Sequence, residues 1–295
     1  MLTRQNEISK EKFLSSFSAI KVEVIKEKKI LHVQLNRPKQ LNALNEVIFE
    51  DLYKLFSNLD IIMQTEDIRV AILSGNGKAF SSGLDLSSKI PQEIIEMKNN
   101  TEMDIGRKNY YMYHGIRRLQ DGLSALEKCP IPIISAIHGY CLGGALSILV
   151  CTDVKIATRD SKFSIKEIDI GITADIGVIQ RLVKQVGKEG MLKKYSYTGE
   201  IFNGEDALKF GLIEELVDTQ EQLMERAFAL ASKIAEKSPL ILWGLKRTIN
   251  FSRDHSVQTS LDLVSTMNSS LLFTEDLPIS VQSFFTKTKP MYPKL

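Results

Sequence analysis

Apolar positions change period several times along the chain, and each change predicts an element. Ile30 to Leu35 alternates apolar and polar residues, the pattern of a half-buried strand. Pro38 ends it, because proline biases Arg37 away from helix. Leu44, Val47, Ile48, Leu52, Leu55, Phe56 and Leu59 then recur at three- and four-residue spacing and predict a helix. Val70 to Leu73 reads as a strand running into a glycine-rich turn, GNGKAFSSGLDL, at 75–86. Residues 88–109 are polar and weakly patterned and read as a mobile loop. Ile116, Leu119, Leu123 and Leu126 mark a helix that ends before Pro130.

Residues 129–152, CPIPIISAIHGYCLGGALSILVCT, carry no Asp, Glu, Lys or Arg and are long enough to span a bilayer. Pro130 and Pro132, the glycines at 139, 143 and 144, and the β-branched run IPIISAI predict a buried strand, a glycine turn and a buried helix instead. No integral membrane segment is therefore expected. A strand follows at Val154 to Thr158, then a strand and loop within KFSIKEIDIGITAD at 162–175. From Glu221 the pattern is helical nearly to the end, with Ser238-Pro239 as an N-cap and a first-turn proline. Strands alternating with helices, then a helical tail, predict an α/β core with an α-helical C-terminal part.

Composition narrows the function classes. The 295 residues allow one large domain or two ordinary ones, at about 150 residues per domain. Apolar residues at 43% and charged residues at 25% exclude wholesale disorder. Lys and Arg number 38 against 36 Asp and Glu, and a net charge of +2 supplies no long-range field for nucleic acid. Cys129, Cys141 and Cys151 lack CxxC spacing, and His32, His114, His138 and His255 do not pair with them as zinc ligands. No metal centre is expected, and the thiols read as core residues in a reducing compartment. The N-terminus has no secretory apolar run, and Glu7 and Glu11 argue against a transit peptide, leaving a frayed polar extension. Pro293-Lys294-Leu295 partly matches the Ser-Lys-Leu peroxisomal address.

Candidate chemistry lies in two glycine turns and a carboxylate segment. Ser81-Ser82-Gly83-Leu84-Asp85 and Gly143-Gly144-Ala145 each follow an apolar strand. Glycine lets backbone approach a ligand closely, and a peptide N–H there can hold an oxyanion. Neither turn is a GxGxxG or Walker loop, and singly each fits tight helix–strand packing. Glu167, Asp169 and Asp175 sit among isoleucines. Strand alternation places Glu167 and Asp169 on one face, while a turn can set Glu167 and Asp175 across one pocket. Burial would raise their pKa toward values useful in proton transfer, although local sequence alone favours ordinary surface carboxylates. Asp254-His255-Ser256 cannot form a triad from consecutive positions and reads as a turn or cap. Trp243, Met267, Leu271 and Leu272 read as core.

In combination, NRPKQLNAL, GNGKAFSSGLDL, PIISAIHGYCLGGAL and KEIDIG, in that order, resemble the crotonase (enoyl-CoA hydratase/isomerase) superfamily over residues 22–287. KEIDIGITADIGVIQRL at 166–182 and FSRDHSVQTSLDLVSTMNSSLLFTEDLPISVQS at 251–283 resemble its dienoyl-CoA isomerases in particular. The resemblance implies an extension at 1–21, a ββα spiral core at 22–220, helical trimerisation elements at 221–292 and a targeting tripeptide at 293–295. It implies an acyl-CoA substrate, no cofactor beyond the coenzyme A of that substrate, and a homotrimer or homohexamer. The oxyanion donors would be the N–H groups of Leu84 and Gly144. Substrate would lie along Ser82, Gly83, Leu84, Asp85, Leu86 and Gly144.

The resemblance further implies a shift of 3,5-dienoyl-CoA to 2,4-dienoyl-CoA in unsaturated fatty acid β-oxidation. Asp175 would be the base at carbon 2 and Glu167 the acid at carbon 6. Ser147 departs from the pattern, because such isomerases carry Asp there and hydratases Glu. It argues against hydration. A Δ3-Δ2 enoyl-CoA isomerase or other acyl-CoA tailoring enzyme, and a non-catalytic acyl-CoA-binding homologue, are the competing readings. The expected location is the peroxisome, with the mitochondrion second.

Overall fold

Strands written as unbroken apolar runs are those buried on both faces. In the computed structural model, which describes residues 9–295, the strands are β1 (Ile20–Ile25), β2 (Ile30–Leu35), β3 (Val70–Gly75), β4 (Ile133–Ile137) and β5 (Tyr140–Leu142), then β6 (Val154–Thr158), β7 (Lys162–Ser164), β8 (Phe202–Asn203) and β9 (Glu215–Val217). A 6-stranded sheet has the order β1-β2-β3-β4-β6-β9, antiparallel only between β1 and β2. A 3-stranded sheet has the order β5-β7-β8. Every residue of β3 and β4 is buried, as a covered parallel sheet requires.

Helices α1 (Lys10–Leu14), α2 (Glu46–Ser57), α3 (Asp60–Met63), α4 (Lys89–Asn99) and α5 (Ile105–Lys128) precede β4. They are followed by α6 (Gly144–Leu149), α7 (Val178–Gln185), α8 (Glu189–Thr198) and α9 (Gly204–Phe210). The chain finishes with α10 (Gln220–Ala235), α11 (Pro239–Ser252), α12 (Val257–Leu271) and α13 (Asp276–Thr286). Leu223, Ala227, Ala231 and Ala235 recur every four residues on α10 and pack on Ile30, Ile72, Ile134 and Ile156 of the large sheet. The opposite face carries the main core, with Leu31, Val33 and Leu73 among buried residues of α2 and α5.

The apolar stretch at 129–152 folds as strand, turn and helix, and among the described residues no helix is long and apolar enough to cross a membrane. Cys129, Cys141 and Cys151 are free and buried. Ser238 caps α11, its hydroxyl accepting from the Ile241 N–H at 3.1 Å, with Pro239 in the first turn. Ser256 caps α12, and Asp254 pairs with Lys184 at 2.8 Å, so the Asp-His-Ser run is a turn and cap.

The structure corrects four expectations. Residues 88–109 are not a loop: they form α4 and the start of α5. No residue of α4 is buried, and the first buried residue of α5 is Gly122, so little apolar patterning was needed. The one local signal was Asp104, whose carboxylate caps α5 by accepting from the Arg107 N–H at 3.0 Å. Residues 9–21 do not fray. Phe13 is buried against the core, and the Ser18 and Ala19 N–H groups donate to Asp51 at 3.0 and 2.8 Å. Residues 1–8 of the expected extension lie outside the described residues. Glu167 and Asp169 are not on a strand but in a 3-10 turn, Glu167–Ile170, ended by left-handed Gly171. Finally, Leu272 is exposed, and Trp243, Met267 and Leu271 are only half-buried, because α11 and α12 pack mainly on each other.

Asn42 bolts the segment after β2 to the segment after β3. It is fully buried at φ +55°, a left-handed conformation that Asn tolerates better than most residues. Its side chain accepts from the Arg37 N–H at 2.8 Å and donates to the Asn76 and Ala79 carbonyls at 2.9 and 2.8 Å. Its own carbonyl accepts from the Ser81 hydroxyl at 2.8 Å. Asn42→Ala strands two buried carbonyls and is expected to lower stability by about 2–4 kcal/mol. Urea unfolding checks this; an unchanged midpoint would refute it.

Candidate active site

The two glycine turns meet. Ser81 and Cys141 form a bridge in which the Ser81 N–H donates to Tyr140 at 2.8 Å and the Leu142 N–H donates to Ser81 at 3.2 Å. Leu44 bridges Leu84, its N–H donating to the Gly83 carbonyl at 2.7 Å. Gly83 adopts φ +92°, and a Cβ there would lie 2.6 Å from the Leu142 carbonyl oxygen. No side chain fits between the turns, which explains the glycine. Gly143 adopts φ +51° before α6.

This arrangement leaves two backbone donors over. Among the described residues, the Leu84 and Gly144 N–H groups donate no hydrogen bond, although their neighbours Gly83, Asp85 and Gly143 all do. A Cβ on Gly144 would lie 3.2 Å from Leu44 Cδ1 and 3.7 Å from Ile176 Cδ1. Apolar side chains thus crowd the second donor, where unpaired polar groups interact most strongly.

Both carboxylates come to this place. Glu167 is buried, and its Oε1 lies 3.9 Å from the position a Gly143 Cβ would take. Its Oε2 is enclosed and accepts no hydrogen bond. Burial, reinforced by the charge of Asp175, pushes the Glu167 pKa up. Asp175 is half-buried one residue before Ile176, and burial pushes its pKa up as well. Asp169 stays outside, paired with Lys166 at 2.7 Å. Ser147, one turn along α6 from Gly144, is fully buried and its hydroxyl has no partner.

The other named residues serve the first turn in different ways. Asp85 accepts from the Ser87 hydroxyl at 2.6 Å and from Arg37 at 2.9 Å, contacts that hold its carboxyl below the ordinary range. Ser82 is half-buried, and its hydroxyl lies 3.5 Å from the Gln40 carbonyl. Leu86 is exposed. Sequence reasoning assigned no role to Arg37, Asn42, Leu44, Gln120 or Ile176. For the first three, the signal was the NRPKQLNAL motif itself, in which Asn42 stands at a position needing positive φ. Nothing local marks Gln120, which reaches the Asp175 carbonyl across 55 positions of chain.

Comparison with known proteins agrees in fold and sequence. The enoyl-CoA hydratase/isomerase family pattern matches residues 25–294. The chain is 37% identical over 261 residues to the mitochondrial Δ(3,5)-Δ(2,4)-dienoyl-CoA isomerase of Rattus norvegicus, spanning 88% of this chain and 78% of that protein. It is 36% identical to the peroxisomal Δ(3,5)-Δ(2,4)-dienoyl-CoA isomerase of Arabidopsis thaliana, spanning 90% and 93%. Among solved structures, a putative enoyl-CoA hydratase from Streptomyces coelicolor A3(2) superposes with TM-score 0.85 at 24% identity, covering 99% of this chain and 98% of that one. An enoyl-CoA hydratase from Bacillus anthracis gives TM-score 0.78 at 27% identity, covering 93% and 99%. With its paired glycine turns and its matching sequence over nearly the whole length, the chain belongs to the enoyl-CoA hydratase/isomerase family.

Proposed function

We propose that the protein is a Δ3,5-Δ2,4-dienoyl-CoA isomerase acting in the β-oxidation of unsaturated fatty acids. The observation that carries this reading is the pairing of two carboxyl groups of raised pKa with two unspent N–H donors. The thioester oxygen is held by the Leu84 and Gly144 N–H groups. Asp175 removes a proton from carbon 2, giving an extended trienolate whose negative charge falls largely on that oxygen. Glu167 delivers a proton to carbon 6, and the double bonds move from 3,5 to 2,4. Loss of one oxyanion donor typically costs about 10²–10³ in rate. Each turnover leaves Asp175 protonated and Glu167 ionised, so both reset before the next.

Glu167 suits the acid role because burial of its carboxyl, with Oε2 enclosed and unpaired, outweighs what favours its anion, while Asp175 is closer to solvent. Ser147 supports isomerisation over hydration, since hydration needs a second acid to hold water. The steps move protons only, so no cofactor is needed and coenzyme A arrives with the substrate. Exposed Leu245, Ile249, Leu261, Phe273, Phe284 and Phe285 on and beside α11 to α13 support a homotrimer or homohexamer. Relatives named as mitochondrial and as peroxisomal support one of those two locations. Turnover of 3,5-octadienoyl-CoA to the 2,4-isomer tests the function directly; its absence, with binding retained, would refute it.

Asp175→Asn is expected to lower turnover by at least about 10²-fold while acyl-CoA binding persists. Steady-state kinetics and calorimetric titration check this, and wild-type turnover would sink the assignment.

Glu167→Gln is expected to abolish turnover and to raise stability above the ordinary glutamate range of pH. A carboxyl with a raised folded pKa stabilises the protein while protonated, and that contribution is lost as pH rises through the raised value. The neutral amide removes the loss. Melting temperatures of mutant and wild type should therefore nearly coincide at about pH 4 and separate at about pH 8, with the mutant higher. A lower mutant melting temperature at the higher pH would contradict the burial argument.

A further inference from the structure

The segment that carries Asp175 has little backbone support. It runs from left-handed Gly171 to Gly177, between the 3-10 turn and α7, and belongs to neither sheet. Among the described residues, no backbone N–H donates to the carbonyls of Ala174 or Asp175. Side chains take that place. Gln180 lies 3.3 Å from the Ala174 carbonyl. Gln120 donates to the Asp175 carbonyl at 2.6 Å, the shorter and more enclosed of the two contacts.

Gln120 is well placed to hold something still. It lies one turn before Leu123 and two before Leu126, both fully buried, so the α5 backbone at this point is anchored in the core. Gln120, Ser124 and Glu127 share one face of α5 at spacings of four and three. Ser124 accepts from Arg181 of α7 at 3.0 Å, and Glu127 accepts from the same guanidinium at 3.1 and 3.2 Å. A single polar stripe on α5 thus grips both the Asp175 segment and the helix that follows it. Among the described residues, Gln120 is its only member that hydrogen-bonds to Asp175 itself.

We propose that Gln120 is a positioning residue for Asp175: by fixing the Asp175 carbonyl it sets where the carboxyl meets carbon 2. The proposal rests on Asp175 being the base of the isomerisation above. A carboxyl one residue from an anchored carbonyl can swing if that anchor is lost, and displacements near 1 Å cost proton transfer heavily. The thioester oxygen is gripped elsewhere, at Leu84 and Gly144, so substrate affinity is independent of this anchor.

The test uses Gln120→Met, which keeps length and volume but removes the donor. Exchange of the carbon 2 proton of 3,5-octadienoyl-CoA into D2O should slow about tenfold, with kcat falling equally. The Kd for octanoyl-CoA, which cannot isomerise, should stay within about twofold. Ser124→Ala, on the same stripe but with no hydrogen bond to Asp175, should exchange at the wild-type rate. Gln120→His, which offers a neutral N–H of similar reach at pH 8, should recover most of the lost exchange. The proposal is overturned if Gln120→Met exchanges normally, if its Kd rises in proportion to the fall in kcat, or if Gln120→His is no faster than Gln120→Met. Asp175→Asn separates the two failures. Should it turn over normally, the base assignment falls and this role with it. Should it be inactive while Gln120→Met is normal, only the positioning role falls.

Discussion

Everything at the site depends on how closely two pieces of backbone approach. The first turn passes so near the Leu142 carbonyl that position 83 has no room for a side chain. That contact keeps the turns in register, and the bridges at Ser81–Cys141 and Leu44–Leu84 use up the hydrogen bonds around it. What remains is a pair of amides with nothing in the protein to bond to. A donor free of bonds within the protein has none to give up if charge develops on an oxygen beside it. The large sheet, with β3 and β4 buried on both faces, is the rigid base from which the turns project.

Glu167 shows the energetic cost of such a place. An enclosed carboxylate oxygen with no donor is unfavourable once ionised, and nearby Asp175 makes it more so. The fold tolerates it because the neutral acid is the form burial favours. Burial therefore favours the same neutral form that a proton donor must hold before it acts. Asp85 illustrates the alternative: equipped with Arg37 and Ser87 as partners, it stays ionised and serves the turn's shape.

Much of the fold was legible because its core strands are apolar runs bounded by proline and glycine. Ile30–Leu35 and Val154–Thr158 have the bounds that alternation and β-branching suggested. α4 and the first turns of α5 were illegible for a physical reason: a helical stretch that buries almost nothing in its own chain has no need of an apolar stripe. The 3-10 turn at Glu167 was misread as strand because its isoleucines alternate with acids, and a period of two cannot reveal a tight turn closed by Gly171. The carboxylate pair was suggested by motif resemblance, and their raised pKa values come from burial that no local spacing encodes. Gln120 was invisible because its contact joins distant parts of the chain.

The contrast between ladder-held turns and the loosely supported Asp175 segment bears on heredity. Changes near Gly83 or Gly143 disturb β-bridges and core packing together, so few variants there would survive as folded proteins. Changes in the Gly171–Gly177 stretch, which no strand pairs with, disturb side-chain clasps and, at buried Ala174, the edge of the core. A lineage built on this plan can exchange the Asp175 side chain while keeping the unpaired amides of the two turns. New reactions on thioesters are then reachable by a few substitutions, each passing through a molecule that still folds and still binds.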